Sequence, residues 1–210
     1  MQSKTEIINQ ALLFMGQDTI IDPTGETKNV KLCASVYDQA LAEALSSHPW
    51  SFAQRAAVLQ QLEEPPRDAR FDFAYQLPVD CGRIIDVISI GGMDAGERLH
   101  LPTITEMHNS LPVAEYSVQG DKLCSNEMGL QILYIRKDVQ PSEMSPQFVN
   151  YFACLIASKL VKKITGSDGA MKEIFQMLPQ YKLEAIHTDG EQTDTMPVNR
   201  PALFIKARLY

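Results

Sequence analysis

The residue types that could attack a substrate or hold a metal ion are few in this sequence and widely separated. Nucleophilic catalysis needs a Ser or Cys within reach of a His, yet the sequence has no G-x-S-x-G motif. The cysteines form no C-x-x-C pair and stand at positions 33, 81, 124 and 154. The histidines form no H-x-x-x-H or mixed Cys/His ligand spacing and stand at positions 48, 100, 108 and 187. We therefore predict no catalytic, cofactor-binding or metal-binding residue, and no enzyme.

Two other features could carry chemistry, a set of acidic residues and a glycine-rich stretch. Glu63, Glu64 and the acids of segment 72–97 could pair for hydrolysis or bind a divalent metal, although scattered acids on half-exposed strands usually form a solvated face. The stretch 91–96 lacks the Lys-Ser/Thr pair of a phosphate-binding loop and predicts a turn. Two alternatives stay open, an acidic soluble hydrolase that uses Asp and His residues of region 72–108 and a generic cytosolic interaction protein.

Composition and charge exclude several further classes of protein. The 210 residues fit one domain or a small pair, and a hydrophobic content of 45% excludes a wholly disordered chain. The 19 Lys and Arg against 26 Asp and Glu give a formal net charge of −7, which repels phosphate and disfavours the wrapping of DNA. No apolar run approaches the roughly 18 residues of a membrane span, so we expect no membrane partner. Four cysteines without a C-x-x-C pair are too few for a disulfide scaffold of this length, which favours a reducing cytosol.

Hydrophobic periodicity predicts helices towards both ends of the chain. Ser3, three residues before Glu6, forms a capping box at the start of the first helix. Ser145 followed by Pro146 marks the start of a strongly apolar helix. Apolar residues recur at helical spacing over about 3–15, 27–47, 145–165 and 168–187.

The middle of the sequence is predicted to be an antiparallel sheet. Segments 83–90 and 129–136 are rich in β-branched and apolar residues, and 116–123 is typical of a hairpin with Gly120 and Asp121 in its turn. The predicted fold is α+β: a discontinuous antiparallel helical bundle of two N-terminal and two C-terminal helices, an inserted antiparallel β-sheet and an extended C-terminal arm. We place the bundle at 1–50 and 145–187, the inserted β domain at 51–144, and the arm at 188–210.

Trp50 and Phe52 lie where the helical period gives way to the strand period. An aromatic pair could stack nucleic-acid bases only if it were exposed beside positive charge, and the acidic surroundings favour core packing instead. We expect Trp50 and Phe52 to form a structural junction between the bundle and the sheet.

The predicted arm has a polar first part and an apolar-basic end. Residues 188–197 are polar and without periodicity, which is typical of a linker. The end mixes apolar and basic side chains, a combination that suits a groove or a strand edge on a partner. The predicted partner-binding residues are Leu203, Phe204, Ile205, Lys206, Arg208, Leu209 and Tyr210.

The order of these elements and several local strings resemble the head-to-tail adaptor proteins of tailed bacteriophages, in particular the tail tubular protein A group of short-tailed phages. The most telling piece is Trp50-Ser51-Phe52-Ala53 followed by Arg55. The similarity spans roughly 3–187, and 188–210 has no clear counterpart. The other strings that carry it are 7–13, 40–45, 75–78, 80–81, 83–84 and 148–163.

The resemblance implies a structural protein of the virion. Such adaptors form a ring, expected to be dodecameric, below the portal; the ring closes the DNA-filled capsid, attaches the tail and forms part of the DNA ejection channel. The implied partners are the portal protein, further copies of the chain, the downstream nozzle or tail-tube protein, and genomic double-stranded DNA that passes without specific binding. No catalytic or cofactor residue carries over. The implied location is the head-tail junction of a particle assembled in the bacterial cytoplasm, where an acidic lumen would repel DNA in transit.

Overall fold

Within the residues that the structure describes, the helical part of the fold consists of four α-helices, two towards each end of the chain. A computed structural model describes residues 2–19, 28–91 and 114–193, with the backbone alone at 191–193. The α+β class predicted from the sequence is confirmed. The helices are α1 (Lys4–Phe14), α2 (Lys28–Ser46), α3 (Pro146–Thr165) and α4 (Asp168–Thr193).

Local side chains fix the ends of α1 and α3. The Ser3 hydroxyl accepts from the Glu6 N–H at 3.2 Å while the Glu6 carboxylate accepts from the Ser3 N–H at 2.8 Å, so the predicted capping box is confirmed. The Ser145 hydroxyl accepts from the Phe148 N–H at 3.2 Å and caps α3. Helix α3 ends at Gly166, which has a left-handed φ of 67°. Glycine adopts this conformation with little strain because it has no Cβ.

α3 is the central helix of the bundle, because α1, α2 and α4 all pack against it. Every side chain from 151 to 157 is buried, as expected of a helix that is apolar on all sides. The core around α3 includes Ile7 of α1, Leu45 of α2 and Ile174 of α4. The N-terminal and C-terminal helices therefore share one core. None of the helices within the described ranges combines the length and the hydropathy that crossing a membrane requires.

The seven strands of the described residues form two antiparallel sheets, whereas the sequence predicted one. They pair in the orders β1-β7-β4 and β2-β3-β6-β5. Leu59 alone separates β1 from β2, so a single residue carries the chain from the first sheet to the second. The predicted hairpin is β5 and β6, with Gly120 at a φ of 67° in its turn. The strands are β1 (Gln54–Val58), β2 (Gln60–Gln61), β3 (Phe73–Gln76), β4 (Cys81–Ser89), β5 (Tyr116–Gln119), β6 (Lys122–Ser125) and β7 (Leu130–Arg136).

Strand β7 is buried along its whole length because it lies between two cores. Leu130, Ile132 and Tyr134 belong to a core shared with Tyr75 of the second sheet. Ile135 belongs to the core of the helical bundle. A strand covered on both faces has a continuous apolar sequence rather than an alternating one. β7 therefore packs the bundle and the two sheets together.

Helix α4 extends further than the sequence predicted. The expected end was near residue 187, with the arm starting at 188, but the helix continues to Thr193. Asp189 and Gly190 have low helix propensity, and Asp189 is only 4% exposed, so tertiary contacts hold this last turn in place. The arm therefore begins no earlier than 194, and residues 194–210 lie outside the described part of the chain.

Replacing Gly190 tests whether α4 continues past 188. No atom lies within 4 Å of a Cβ added there, so Gly190→Ala should stabilise the folded protein by about 0.5 kcal/mol through higher helix propensity. Gly120→Ala is the control and should lower the stability instead. The φ of Gly120 is left-handed, and a residue with a side chain adopts it at a cost of about 1–2 kcal/mol. Chemical denaturation measures both, and an unchanged stability of Gly190→Ala would argue against the helical ending.

Candidate functional site

A short aromatic segment carries the chain from the helical bundle to the first sheet. Helix α2 ends at Ser46, shortly before Pro49. A proline disfavours helical geometry at the residue before it, so the helix cannot easily continue through His48. A 3-10 turn covers Ser51–Ala53, and β1 begins directly after it. The side-chain amide of Gln54 donates to the Pro49 carbonyl at 2.6 Å and closes the turn.

Trp50 is fully buried in the core around α3. Its indole Nε1 donates to the Ala44 carbonyl at 2.8 Å, which fixes the ring against the end of α2. The ring centre lies 4.9 Å from that of Phe148, edge to face, and 6.1 Å from that of Tyr151. Aromatic pairs in such geometry add to the stabilisation from buried area. Trp50 therefore ties α2 to α3.

Phe52, the second residue predicted for the junction, is half-buried beside the same rings. Its ring centre lies 4.9 Å from that of Phe148 and 6.1 Å from that of Trp50. The rings of Trp50 and Phe52 thus both pack against the ring of Phe148 on α3.

The carboxylate of Asp189 anchors the C-terminal part of α4 to the junction. Its two oxygens accept from the Ser51 backbone N–H at 3.0 and 3.1 Å, and Oδ1 also accepts from the Ser51 hydroxyl at 2.7 Å. A buried carboxylate needs donors that replace water, and Ser51 supplies two of them. We call this contact the Ser51–Asp189 clasp. It joins residues 138 positions apart in the sequence.

His48 lies beside the clasp, and its charge depends on its burial. Its Nε2 is 3.5 Å from Oδ2 of Asp189. Burial lowers the pKa of His48 below the ordinary value, and Arg83 and Lys182 lower it further; Asp189 opposes the shift without outweighing it. The imidazole is therefore neutral near pH 7, and its contact with Asp189 becomes an ion pair only on protonation.

Ser51, His48 and Asp189 are the residue types of a catalytic triad, but their arrangement differs from one. In a triad the imidazole lies between the hydroxyl and the carboxylate and accepts the hydroxyl proton. Here the Ser51 hydroxyl donates to Asp189 directly, and His48 approaches the same carboxylate. The carboxylate also accepts the backbone N–H of Ser51, the first residue of the 3-10 turn, and so holds that turn in place.

Burial makes the described thiols poor nucleophiles. Cys33, Cys124 and Cys154 are buried, and Cys81 is half-buried. Burial raises the pKa of Cys33 and of Cys154 to about 11. The thiolate is the reactive form, and it is scarce at neutral pH for both side chains.

Two acids proposed for the hydrolase alternative make structural contacts. Asp80 accepts from Nη1 of Arg55 at 2.7 Å and from the hydroxyl of Tyr134 at 3.0 Å, while Asp86 accepts a backbone N–H at 2.9 Å. Burial, together with Asp80, raises the pKa of Tyr134 to about 12. Within the part of the chain that the structure describes, no group of three or more His, Cys, Asp or Glu side chains could hold a metal ion. Residues 92–113 lie outside the described part.

The sequence predicted core packing for Trp50, which the structure shows, but it did not indicate the clasp. Asp189 stands in a polar stretch beside Gly190, which is typical of a linker, and no spacing in the sequence connects it to Ser51. The predicted partner-binding residues lie outside the described part of the chain: Leu203, Phe204, Ile205, Lys206, Arg208, Leu209 and Tyr210.

Truncating Trp50 should cost much of the stability of the protein. Trp50→Ala removes a fully buried ring and should lower the free energy of unfolding by about 3–5 kcal/mol. Trp50→Phe is the matched control, because it keeps an aromatic ring and loses the bond to Ala44; it should cost about 1–2 kcal/mol. Thermal melting separates the variants, and an unchanged midpoint for Trp50→Ala would show that the ring does not pack as described.

The lowered pKa of His48 should make stability fall under mildly acid conditions. The unfolded chain binds a proton at the ordinary value of 6.5, whereas the folded chain binds it only at lower pH. Stability is therefore lost as the pH falls below about 6.5 towards the folded pKa. Melting of wild type and His48→Gln at pH 7.5 and 5.5 should show a smaller loss in the variant, with His187→Gln as control. An equal loss in all three proteins would contradict this assignment.

No known protein family and no curated protein matches this chain. The function of the protein is therefore inferred from its residues, from its fold, and from the resemblance that the string Trp50-Ser51-Phe52-Ala53 carries.

Proposed function

We propose that this chain is a structural head-to-tail adaptor of a tailed bacteriophage, one subunit of a dodecameric ring below the portal. The observation that carries the proposal is the position of Trp50-Ser51-Phe52-Ala53, the string that most resembles the adaptors. This string is the point at which α2, α3 and α4 are tied together. The order helix, helix, sheets, helix, helix supports the same assignment.

The distribution of charge supports a position beside DNA. Among the described residues, exposed carboxylates lie next to the strand ends of the four-stranded sheet and outnumber the bases there, which are Arg67, Arg70 and Lys122. Negative charge repels the phosphate backbone and keeps DNA from adhering during passage. In the proposed ring this sheet faces the channel. The exposed acids are Glu63, Glu64, Asp72, Glu115, Asp121 and Glu127.

The exposed apolar side chains support a subunit that assembles on a partner rather than alone. They are spread over α1, both sheets, two turns and α4, and a stable ring formed without a partner would need a large continuous interface. We therefore expect the isolated chain to be monomeric or weakly associated. Among the described residues, the large apolar side chains that are exposed are Leu13, Val58, Val79, Tyr116, Val118, Met128, Phe175 and Leu183.

The proposed partners follow from this place in the particle. The ring contacts the portal protein above, copies of itself at its sides, and the nozzle or tail-tube protein below, with double-stranded DNA passing through. The apolar-basic residues at 203–206 and 208–210 bind the portal or a neighbouring subunit once the ring is assembled. The ring is located at the head-tail junction of the virion, and assembly takes place in the bacterial cytoplasm.

Removing residues 196–210 tests the proposed function. The deletion should leave the melting temperature nearly unchanged, because Trp50 and the clasp lie outside it, yet abolish ring formation on the portal protein. Light scattering and electron microscopy of mixtures with portal measure assembly. A full-length control replaces Leu203, Phe204 and Ile205 by Ser and should fail in the same way. A closed ring formed by the isolated chain, or normal assembly of the truncated one, would count against the proposal.

A further inference from the structure

Strand β5 lies at one edge of the four-stranded sheet. In the described part of the chain, β6 pairs with one side of β5 and no strand pairs with the other side. Gln119 pairs with Lys122 across the tight turn, and from there the opposite residues of an antiparallel pair alternate between bonded and non-bonded. The backbone N–H and C=O groups of Tyr116 and Val118 therefore point away from β6, towards the outer edge.

The side chains at these two positions continue an apolar face that is only partly covered. Tyr116 and Val118 lie opposite Ser125 and Leu123 on β6, and Leu123 is buried in the core that the two sheets share. Tyr116 is nevertheless 39% exposed and Val118 is 48% exposed. An edge strand with outward-pointing backbone groups and exposed apolar side chains is a template for a further strand.

Strand β1 presents a similar edge of the three-stranded sheet, since β7 is the strand that pairs with it among the described strands. The N–H of Leu59 donates to the Leu130 carbonyl at 2.8 Å, which fixes the alternation of bonds between β1 and β7. The backbone groups of Ala56 and Val58 accordingly point away from β7. Both side chains are exposed, that of Val58 by 54%. Each edge thus carries two exposed apolar residues at positions whose backbone groups point outward.

Charge disfavours the pairing of β5 with a second β5. Glu115 and Asp121 flank the strand, and both are exposed. In an antiparallel pair of two β5 edges centred on Val118, Glu115 of each copy stands opposite Asp121 of the other. Like charges that face each other across strands are destabilising, so a strand with a basic residue is the better partner for this edge.

The β1 and β5 edges match in one antiparallel register. With Val58 of one copy opposite Tyr116 of another, Ala56 falls opposite Val118, so apolar side chains meet on one face of the pair. The outward backbone groups of the two strands then face each other and can exchange hydrogen bonds.

The same register brings opposite charges together. Arg55 of β1 then lies opposite Gln119, two residues before Asp121, at the diagonal separation that a long side chain can span. Arg55 already pairs with Asp80, but a guanidinium has several N–H donors and can serve a second carboxylate. The β1 edge therefore supplies the basic residue that the β5 edge calls for.

We propose that neighbouring copies of this chain pair β1 of one copy with β5 of the next, so that the sheets continue from subunit to subunit. The contact uses different surfaces on the two partners, which is the kind of interface that closes into a ring. The inference rests on the proposed function, because it names the contact between neighbours in the ring. Two short strands bury little area, which agrees with the weak association expected of the isolated chain.

Disulfide trapping between two copies of the full chain tests the contact. Val58→Cys chains are mixed with Tyr116→Cys chains at high protein concentration and oxidised with diamide, in a Cys81→Ser background that removes the half-buried native thiol. Opposite Cα atoms in a bonded pair are about 5.5 Å apart, a separation that a disulfide spans. The mixed dimer should form at least about ten-fold faster than one from Val58→Cys and Leu13→Cys chains. Leu13 is the matched control because it is 62% exposed but lies on α1.

Two variants of the Tyr116→Cys chain separate strand pairing from simple proximity. Val118→Pro removes an N–H that points away from β6 and so leaves the hairpin bonds in place, as proline does on an edge strand. It should slow formation of the mixed dimer to the rate of the Leu13 control. Asp121→Lys changes an exposed charge and should slow formation by about three-fold.

Three results would overturn the proposal. Equal rates for the Tyr116→Cys and Leu13→Cys mixtures would do so, and so would a rate that both Val118→Pro and Asp121→Lys leave unchanged. Faster dimerisation of Tyr116→Cys chains alone would assign the edge to a second β5. None of these results bears on ring formation with the portal protein, which light scattering and electron microscopy of the wild-type chain measure separately.

Discussion

The Ser51–Asp189 clasp is the contact that fixes the C-terminal end of α4 to the segment between α2 and β1. The N-terminal helices, the two sheets and the C-terminal helices follow one another along the chain, so the first and last parts of the bundle must be held together by long-range contacts. Packing on α3 supplies most of the buried area. The clasp is directional, whereas apolar packing is not. Because the Asp189 carboxylate accepts both the N–H and the hydroxyl of Ser51, it sets the position of α4 relative to the junction.

A junction fixed in this way matters for the proposed ring, in which each subunit would connect several partners. In the proposed ring, one surface of the subunit meets DNA and others meet protein, and their relative positions must not drift. β7 couples the two cores, Trp50 couples α2 to α3, and Asp189 couples α4 to Ser51. These contacts fix the helices and the sheets relative to one another in the described part of the chain.

Local patterns account for the parts of the structure that the sequence predicted well. The capping box at Ser3, the start of α3 at Ser145 and the turn at Gly120 are each encoded within four residues. Contacts between distant residues account for the rest. Leu59 separates two sheets without a Gly or Pro signal, so the sequence predicted a single sheet. Asp189 lies in a stretch of low helix propensity and becomes helical because Ser51, far away in the sequence, supplies its donors.

A double-mutant cycle between Ser51 and Asp189 tests the central claim most directly. Ser51→Ala, Asp189→Ala and the double variant are compared by urea unfolding, with the exposed ion pair Lys162 and Asp168 as reference cycle. The clasp predicts a coupling energy of about 1.5–3 kcal/mol, as for a buried hydrogen bond to a charged group, against less than about 1 kcal/mol for the exposed pair. Ser51→Ala keeps the backbone N–H bonds and removes the hydroxyl bond. Additive effects together with a loss of less than about 1 kcal/mol in Asp189→Ala would contradict the claim that this contact holds α4 to the junction.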